Sequence, residues 1–332
     1  MVKSSKFDDL DRRLVQALQL DGRVPFSRIA EALGVSDQTI ARRYTRLRTE
    51  GHIRVIASVE YAFMGEVAWL VRVQCKPDGA ERLGRTLAAR DDTAWVSLSS
   101  GGTEINCSTW APAGVVQEPS LLLARLPRTP SVVSMTAHCV MHTFFGGPRG
   151  PVLKYGWLTP EQVDVLEPEL PLEPTFAPGE REPVTLDDAD LRMLVVLGRD
   201  GRAELAELAA ATGWSQSTVR RRLTQLRASG AVFLDVEFDY RIYGLTAPAL
   251  LWASVPPAEL ETAGLALAGH PEVAYACATT GATNLHAVLL CKDIHSLYTY
   301  LTTRVASLGV QRVETSPIVR GLKGPATVRA PR

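Results

Sequence analysis

Residues 8–51 have the sequence DDLDRRLVQALQLDGRVPFSRIAEALGVSDQTIARRYTRLRTEG, and residues 187–230 have the sequence DDADLRMLVVLGRDGRAELAELAAATGWSQSTVRRRLTQLRASG. The matching residues lie 179 positions apart, and no gap interrupts the match across about 45 residues. Self-similarity at a fixed offset indicates that one structural unit occurs more than once. The chain therefore contains two copies of the unit that this stretch begins.

Each stretch has the periodicity of three short helices. In the first copy Leu10, Leu14 and Leu18 have the spacing of a buried helical stripe, and Asp8 or Asp9 can cap that helix. The helices are separated by Gly22 in a C′ role, Pro25, Gly34, Ser36 and Gly51. In the second copy Asp187 or Asp188 can cap the first helix, and the corresponding separating residues are Gly201, Gly213, Ser215 and Gly230. This order predicts a helix-turn-helix domain in each copy.

After each helical stretch the pattern changes to short apolar strands and two amphipathic helices. In the first copy the predicted elements are Ile53–Glu60, Val67–Cys75, Gly79–Arg90 (helix), Ala94–Ser99, Glu104–Trp110, Val115–Arg125 (helix) and Val132–Met141. The first strand, Ile53–Glu60, either belongs to the domain or only leads into it. The order of the other elements, β-α-β-β-α-β, predicts a ferredoxin-like domain. The second copy repeats this order from Phe233 to Val319.

The predicted fold class is therefore α+β, with two helix-turn-helix domains, two ferredoxin-like domains and a linker rich in Pro and Glu. The predicted boundaries are 1–54, 55–151, 152–184 (linker, with one short helix near Pro160–Leu166), 185–232, 233–324 and 325–332 (tail). A length of 332 residues suits several domains.

Charge is segregated along a chain whose net charge is zero. Residues 1–54 carry 11 basic against 7 acidic side chains, and residues 152–186 carry 2 basic against 7 acidic ones. A basic domain can attract phosphate while an acidic linker keeps the whole chain neutral. The five cysteines form no C-x-x-C pair, and the sequence begins without an apolar signal segment, so we expect reduced thiols and a cytoplasmic protein.

The third helix of each copy has an exposed basic face opposite its apolar stripe. Ile40, Tyr44 and Leu47 form the stripe of the first copy. The candidate DNA-binding residues are Ser36, Gln38, Thr39, Arg42, Arg43 and Arg46 in copy one, and Ser215, Ser217, Arg220, Arg221 and Arg222 in copy two. Arginine suits guanine edges and phosphates, and Gln and Ser can reach bases or phosphates in the major groove.

Two alternatives apply to this basic face. Arginines on an exposed helix often lie only in solvent. Arg43 and Arg222 lie nearer the buried stripe, so ion pairs with Asp11 and Asp190 are an equal alternative to DNA contacts. The two faces also differ, since Gln38 corresponds to Ser217. If both faces bind DNA, this difference predicts two unlike half-sites.

A second candidate site is the turn between two strands of each ferredoxin-like domain. Its residues are Gly101, Gly102, Thr103 and Glu104 in copy one, and Thr280, Gly281, Ala282, Thr283 and Asn284 in copy two. Glycine permits close approach, and the polar side chains could bind a small effector. A plain hairpin turn is the alternative.

Motifs of several common enzyme classes are absent from the sequence: there is no H-E-x-x-H, Walker loop, G-x-G-x-x-G or G-x-S-x-G. His138 and His142 are four residues apart, but on a strand that spacing separates them by about 13 Å. We therefore expect no enzyme activity, no cofactor and no bound metal.

The sequence resembles the leucine-responsive regulator/asparagine regulator (Lrp/AsnC) family in a tandem-duplicated form. The resemblance is carried by Asp11–Arg23, Ile29–Ser36 and Arg42–Gly51, and by their counterparts in copy two. Val59-Glu60-Tyr61, Phe238-Asp239-Tyr240 and Thr280-Gly281 resemble the effector (RAM) domain of that family. The resemblance implies a DNA-binding transcription regulator whose ferredoxin-like domains pair through their sheets. It also implies a small-molecule effector, often an amino acid, at the turn, a pseudo-dimer within the chain and further homo-oligomers.

Two rival interpretations remain. Siroheme decarboxylases are similar to these regulators, and the resemblance implies an Arg-His pair at the end of the first effector-domain strand. The chain instead has Glu60-Tyr61 and Asp239-Tyr240, whose acids would repel a carboxylated tetrapyrrole. The other rival is an architectural DNA-binding protein without an effector.

Overall fold

A computed structural model describes residues 6–60, 65–112, 124–147, 150–166 and 185–325. The chain divides into two compact units, and each contains parts of both copies. We call residues 1–60, 147–244 and 328–332 the helical unit, and residues 61–146 and 245–327 the barrel unit. The predicted boundary after residue 54 lies inside a strand of the helical unit, so the units differ from the predicted succession of domains. Most of the predicted helix Val115–Arg125 lies outside the described residues.

The helical unit contains the two predicted three-helix domains, which we call head 1 and head 2. Asp8 caps the first helix of head 1 in a reciprocal capping box with Asp11, and Asp187 does the same with Asp190 in head 2. Ser36 and Ser215 cap the third helices. The helices are α1 (Asp9–Leu20), α2 (Phe26–Leu33) and α3 (Asp37–Thr49) in head 1, and α6 (Asp188–Leu197), α7 (Leu205–Thr212) and α8 (Gln216–Ala228) in head 2.

An antiparallel ribbon of β1 (Ile53–Val59) and β6 (Val232–Phe238) joins the two heads. Its central pair is Ile56 with Asp235, two residues that occupy the same position of the repeat. A local twofold axis therefore passes through this pair and relates head 1 to head 2. The first predicted strand is thus a lead-in that belongs to the helical unit.

The predicted C′ role of Gly22 and Gly201 is wrong, because neither residue has a positive φ. A Cβ on Gly22 would lie 2.7 Å from Val55 Cγ1, and one on Gly201 would lie 2.9 Å from the Ile56 nitrogen. Glycine is required at both positions because the Asp-Gly-Arg turns pack directly against the ribbon. Gly34 and Gly213 do end their helices in the left-handed conformation, as predicted.

Part of the predicted linker is a packed element of head 1. A 3₁₀ turn (Pro151–Tyr155) and the short helix α5 (Pro160–Leu166) follow the barrel strands of copy one. Val152, Leu158 and Leu166 are buried in the same apolar cluster as the stripe of α1. The predicted short helix near Pro160–Leu166 is therefore confirmed, and it extends the core of head 1.

The barrel unit is a closed barrel of eight described strands. Each copy contributes four strands in ferredoxin-like order, and its last strand continues into the sheet of the other copy. Copy one supplies β2 (Glu66–Cys75), α4 (Ala80–Ala88), β3 (Thr93–Ser99), β4 (Glu104–Pro112) and β5 (Val132–Phe145). Copy two supplies β7 (Ala247–Ser254), α9 (Leu260–Gly269), β8 (Val273–Thr279), β9 (Leu285–Cys291), α10 (Ile294–Thr303) and β10 (Arg312–Gly321). The order of the strands around the barrel is β10-β3-β4-β2-β5-β8-β9-β7.

Candidate nucleic-acid interface and effector turns

The third helix of each head exposes the polar face that its sequence predicts. Ile40, Tyr44 and Leu47 are buried in α3, and Val219, Leu223 and Leu226 are buried in α8. On the opposite faces Gln38, Arg42 and Thr45 are exposed in head 1, and Ser217, Arg221 and Thr224 are exposed in head 2. The structure thus places the central candidates for DNA contact in solvent.

Arg43 and Arg46 of head 1 bind a buried carboxylate instead. Asp11 is 1% exposed, and its carboxylate lies 2.9 Å from Arg43 Nη1 and 2.6 Å from Arg46 Nη2. Arg43 also lies 2.7 Å from Asp8. Burial alone would lower the pKa of Arg43, but the hydrogen bonds to Asp11 and Asp8 outweigh it and raise that pKa. These two arginines therefore attach α3 to α1.

Head 2 performs the same attachment with one arginine. Arg222 donates from Nε and Nη2 to Asp190 at 2.9 and 2.6 Å, and Asp190 is 0% exposed. The pair raises the pKa of Arg222. The position of Arg46 is occupied by Gln225, whose Oε1 accepts a further hydrogen bond from Arg222.

Three of the predicted DNA-binding residues, Arg43, Arg46 and Arg222, therefore form internal ion pairs, which is the alternative stated above for Arg43 and Arg222. The physical reason is that a buried carboxylate on the first helix must be neutralised. Within the described residues Arg42, Arg220 and Arg221 have no hydrogen-bond or ion-pair partner, and all three are exposed. Ser36, Thr39 and Ser215 take part in capping the third helices, through hydroxyl groups at the helix N-termini.

Sequence reasoning missed the contacts between the two heads. Arg48 of α3 lies 2.7 Å from Asp200 of head 2, and Arg227 of α8 lies 3.0 Å from Asp21 of head 1. Arg23 donates to the carbonyls of Gly201 and Ala203, and Arg202 donates to those of Gly22 and Val24. The signal was present in the sequence, because each arginine and each aspartate recurs at the same offset.

The turn of copy one directs its acidic side chain inward. Gly101 and Gly102 have left-handed backbones, and Gly101 and Thr103 are exposed. Glu104 is 2% exposed, lies 3.2 Å from Arg72 and accepts a hydrogen bond from Asn106. Glu104 is the first residue of β4, and strand alternation turns it into the barrel. The predicted effector residue Glu104 is therefore bound by Arg72 and Asn106 inside the barrel.

The turn of copy two is held by its own polar groups. Asn284 exchanges two hydrogen bonds with the backbone of Val255, and Thr283 is buried. His138 of β5 approaches the Thr280 carbonyl at 2.8 Å, and the Thr280 hydroxyl accepts from the Cys139 nitrogen. Gly281 and Ala282 remain exposed. The accessible part of this turn is thus mainly backbone and small side chains.

Two other features are absent from the described ranges. Among these residues no helix has the length and apolarity needed to cross a membrane. In the same part of the chain no group of three or more His, Cys, Asp or Glu side chains could hold a metal ion. Asp239 lies at one of the two positions where the resemblance to siroheme decarboxylases implies an Arg-His pair. Its carboxylate forms ion pairs with Arg241 and His52.

Comparison with known proteins gives three matched regions. The AsnC-type helix-turn-helix domain matches residues 7–48 and 186–227, and the Lrp/AsnC ligand binding domain matches residues 249–327. The HTH-type transcriptional regulator FL11 of Pyrococcus horikoshii is 27% identical over 139 residues, which are 41% of this chain and 91% of that protein. The HTH-type transcriptional regulator Ptr1 of Methanocaldococcus jannaschii is 27% identical over 124 residues, 37% of this chain and 84% of that protein.

Solved structures of a siroheme decarboxylase match nearly the whole chain. The crystal structure of the siroheme decarboxylase NirDL has a TM-score of 0.62 and covers 96% of this chain and 93% of its own. The sequence identity is 14%, so this likeness concerns the fold. Two heads and two paired ferredoxin-like domains are therefore an arrangement that another protein shares.

Proposed function

We propose, because the chain belongs to the Lrp/AsnC family of helix-turn-helix transcription regulators, that α3 and α8 bind the major groove at two unlike half-sites of one DNA site. The observation that carries this proposal is that Arg42, Arg220 and Arg221 are exposed and have no partner among the described residues, while Arg43 and Arg222 beside them are bound to internal carboxylates. A cation that has no internal partner is available for phosphate or guanine.

The two faces differ in content, which supports unlike half-sites. Head 1 presents Gln38 and Arg42, and head 2 presents Ser217, Arg220 and Arg221. Glutamine can make a bidentate contact with adenine, whereas serine discriminates weakly among bases. Head 1 would therefore contribute more base discrimination, and head 2 would contribute more phosphate attraction.

A binding assay on promoter DNA tests the proposal. Replacing Arg42 and Arg221 together by Ala should weaken binding by about 1–3 kcal/mol for each lost contact and leave the circular dichroism spectrum unchanged. Arg82→Ala is the matched control, because Arg82 is exposed on α4 of the barrel unit. Unchanged affinity of the double variant, or an equal loss in the control, would refute the assignment of the two faces.

A genomic binding map addresses sequence preference. Clustered peaks with an asymmetric motif are expected from two unlike heads, whereas a symmetric motif would contradict two unlike half-sites. Peaks without any shared motif would favour the architectural rival.

We also propose that a small effector, an amino acid or a related metabolite, acts at the turn of copy two. Support comes from the match of residues 249–327 to a ligand binding domain and from the exposed backbone at Gly281 and Ala282. Ala282→Arg should abolish the effect of an active amino acid on DNA binding and leave binding without effector intact. Thr103→Arg in the other turn is the comparison, and equal loss in both variants would place the effect elsewhere.

We propose a non-enzymatic protein of the cytoplasm that forms homo-oligomers of its internal pseudo-dimer. An absorption spectrum of the purified protein tests whether it is non-enzymatic, since a bound tetrapyrrole would support the decarboxylase rival. Mass measurement in solution tests whether it forms homo-oligomers, and a mass of one chain at all concentrations would contradict them.

A further inference from the structure

We propose that the interior of the barrel specifies pairing of copy one with copy two and disfavours pairing of either copy with itself. The residues that carry this specificity are Arg72 of copy one and Trp252 and Glu314 of copy two. The partner that fits the inner sheet face of copy one is therefore a ferredoxin-like sheet that presents an aromatic ring at the position of Arg72 and a carboxylate beside it.

Arg72 and Trp252 occupy the same position of the repeat, 180 residues apart. In the barrel they contact each other, with the Arg72 Cζ 5.1 Å from the centroid of the Trp252 ring. Two equivalent residues can contact each other only near the axis that relates their domains. Position 72 is thus the point at which each domain meets its own counterpart.

The charge of Arg72 is neutralised from both copies. Glu104 of the same copy lies 3.2 Å away, and Glu314 of copy two lies 2.8 Å away. Burial opposes ionisation, but these two carboxylates raise the pKa of Arg72. The counterpart of Glu314 in copy one is Thr136, because Thr136 lies opposite Arg72 as Glu314 lies opposite Trp252. Copy one therefore cannot supply this second carboxylate itself.

Trp252 is the other half of the arrangement. It is 2% exposed, and its ring centroid lies 4.0 Å from that of His286 and 5.0 Å from that of His138. By strand pairing, the counterpart of His286 is Asn106 and that of His138 is Ser316. An aromatic layer therefore lies on one side of the axis, and a charged, hydrogen-bonded layer lies on the other.

Pairing of two copy-one domains would place one Arg72 against another in the barrel interior. Each guanidinium would retain Glu104 but would lose both Glu314 and the aromatic face, and like charges in a buried site are strongly unfavourable. Pairing of two copy-two domains would place Trp252 against Trp252 and leave each Glu314 without its arginine. Unfavourable contacts in the wrong pairs are a common basis of specificity between similar partners.

The test uses the full chain with a protease site inserted within residues 167–184. After cleavage, the two fragments exchange at low concentration, and native mass spectrometry measures mixed pairs against self-pairs. The double variant Arg72→Trp with Glu314→Thr makes the two copies alike at both positions. We expect the ratio of mixed pairs to self-pairs to fall by about tenfold, because a largely buried arginine charge then no longer distinguishes the two copies.

The control is Glu237→Ser, which removes the carboxylate of another Arg–Glu pair between the copies. That pair, Arg54 with Glu237, lies in solvent on the ribbon, so the ratio should remain within about twofold of that of the parent chain. If the double variant does not fold, Glu314→Thr alone keeps Arg72 bound to Glu104 and should still lower the ratio. An unchanged ratio in either variant, or self-pairs at statistical abundance in the parent chain, overturns the proposal.

Discussion

Head 1 and head 2 have the same three helices but stabilise them differently. In head 1 two arginines neutralise Asp11, and residues 150–166 add to the core. In head 2 one arginine neutralises Asp190, and a second and third arginine on α8 remain exposed. The comparison teaches that a duplicated sequence can keep its helix spacing while its cations change function. The number of basic residues on a helix therefore does not give the number available to DNA.

Arg222→Ala should have the largest effect and should separate the heads most clearly. It leaves the buried Asp190 without its cation, which costs about 3–5 kcal/mol. Arg43→Ala should cost only about 1 kcal/mol, because Arg46 remains on Asp11 at 2.6 Å. Native-state hydrogen exchange of the amides of each head measures both values.

The double variant Arg43→Ala with Arg46→Ala completes this comparison. It should destabilise head 1 by as much as Arg222→Ala destabilises head 2, because Asp11 then also lacks a cation. Equal effects of the two single variants would mean that the second arginine of head 1 contributes nothing.

Asp235→Asn should alter the pH dependence of the helical unit. Burial, with a smaller contribution from Glu237, raises the pKa of Asp235 to about 6, although a hydrogen bond from the Val236 nitrogen opposes the rise. Since the unfolded chain ionises near pH 4, stability should decrease as the pH rises from about 4 to about 6 and then level off. The loss at neutral pH is about 3 kcal/mol, and Asn should remove it.

Chemical denaturation followed by circular dichroism at several pH values measures this change. The control is Asp37→Asn, since Asp37 is exposed in the first turn of α3. A parent chain whose stability rises between pH 4 and pH 6, with the same rise in Asp235→Asn, would contradict a role for this carboxyl.

The helices and most of their caps could be predicted because their causes are local. Ser36 caps α3 through a nitrogen three residues away, and the stripe of Ile40, Tyr44 and Leu47 depends only on helical periodicity. The role of Gly22 could not be predicted, since it depends on Val55 of a strand that packs on it. Tertiary contact, and not the turn itself, determines that glycine.

The candidate sites were predicted less completely for the same reason. Arg42 and Arg43 are adjacent, and only the packing of α3 on α1 shows that one faces solvent and the other a buried carboxylate. Glu104 was assigned to a turn, but one residue of strand register turns it into the barrel. The interior pair of Arg72 and Trp252 joins distant strands, so no local pattern indicates it.

Gln16→Val should destabilise head 1 moderately. The Gln16 Oε1 accepts the Leu158 nitrogen at 3.0 Å, and Val195 occupies the same position of head 2. A buried N–H that loses its acceptor costs about 1–3 kcal/mol. Faster hydrogen exchange should therefore be confined to α1 and residues 150–166. The reverse change, Val195→Gln, should not stabilise head 2, and a gain there would contradict a role confined to head 1.

The smallest effect concerns the salt dependence of DNA binding, and a reciprocal pair of variants isolates it. Arg220 is exposed on α8, and its counterpart on α3 is Ala41. If head 2 contributes the additional phosphate contact, Arg220→Ala should reduce the slope of log affinity against log salt by about 1, and Ala41→Arg should increase it by about 1. A double variant should then recover the parent slope while its preferred site reverses in orientation, because the cation has moved from one head to the other. A double variant with the parent slope and an unchanged site orientation would mean that Arg220 contributes charge but does not distinguish the half-sites.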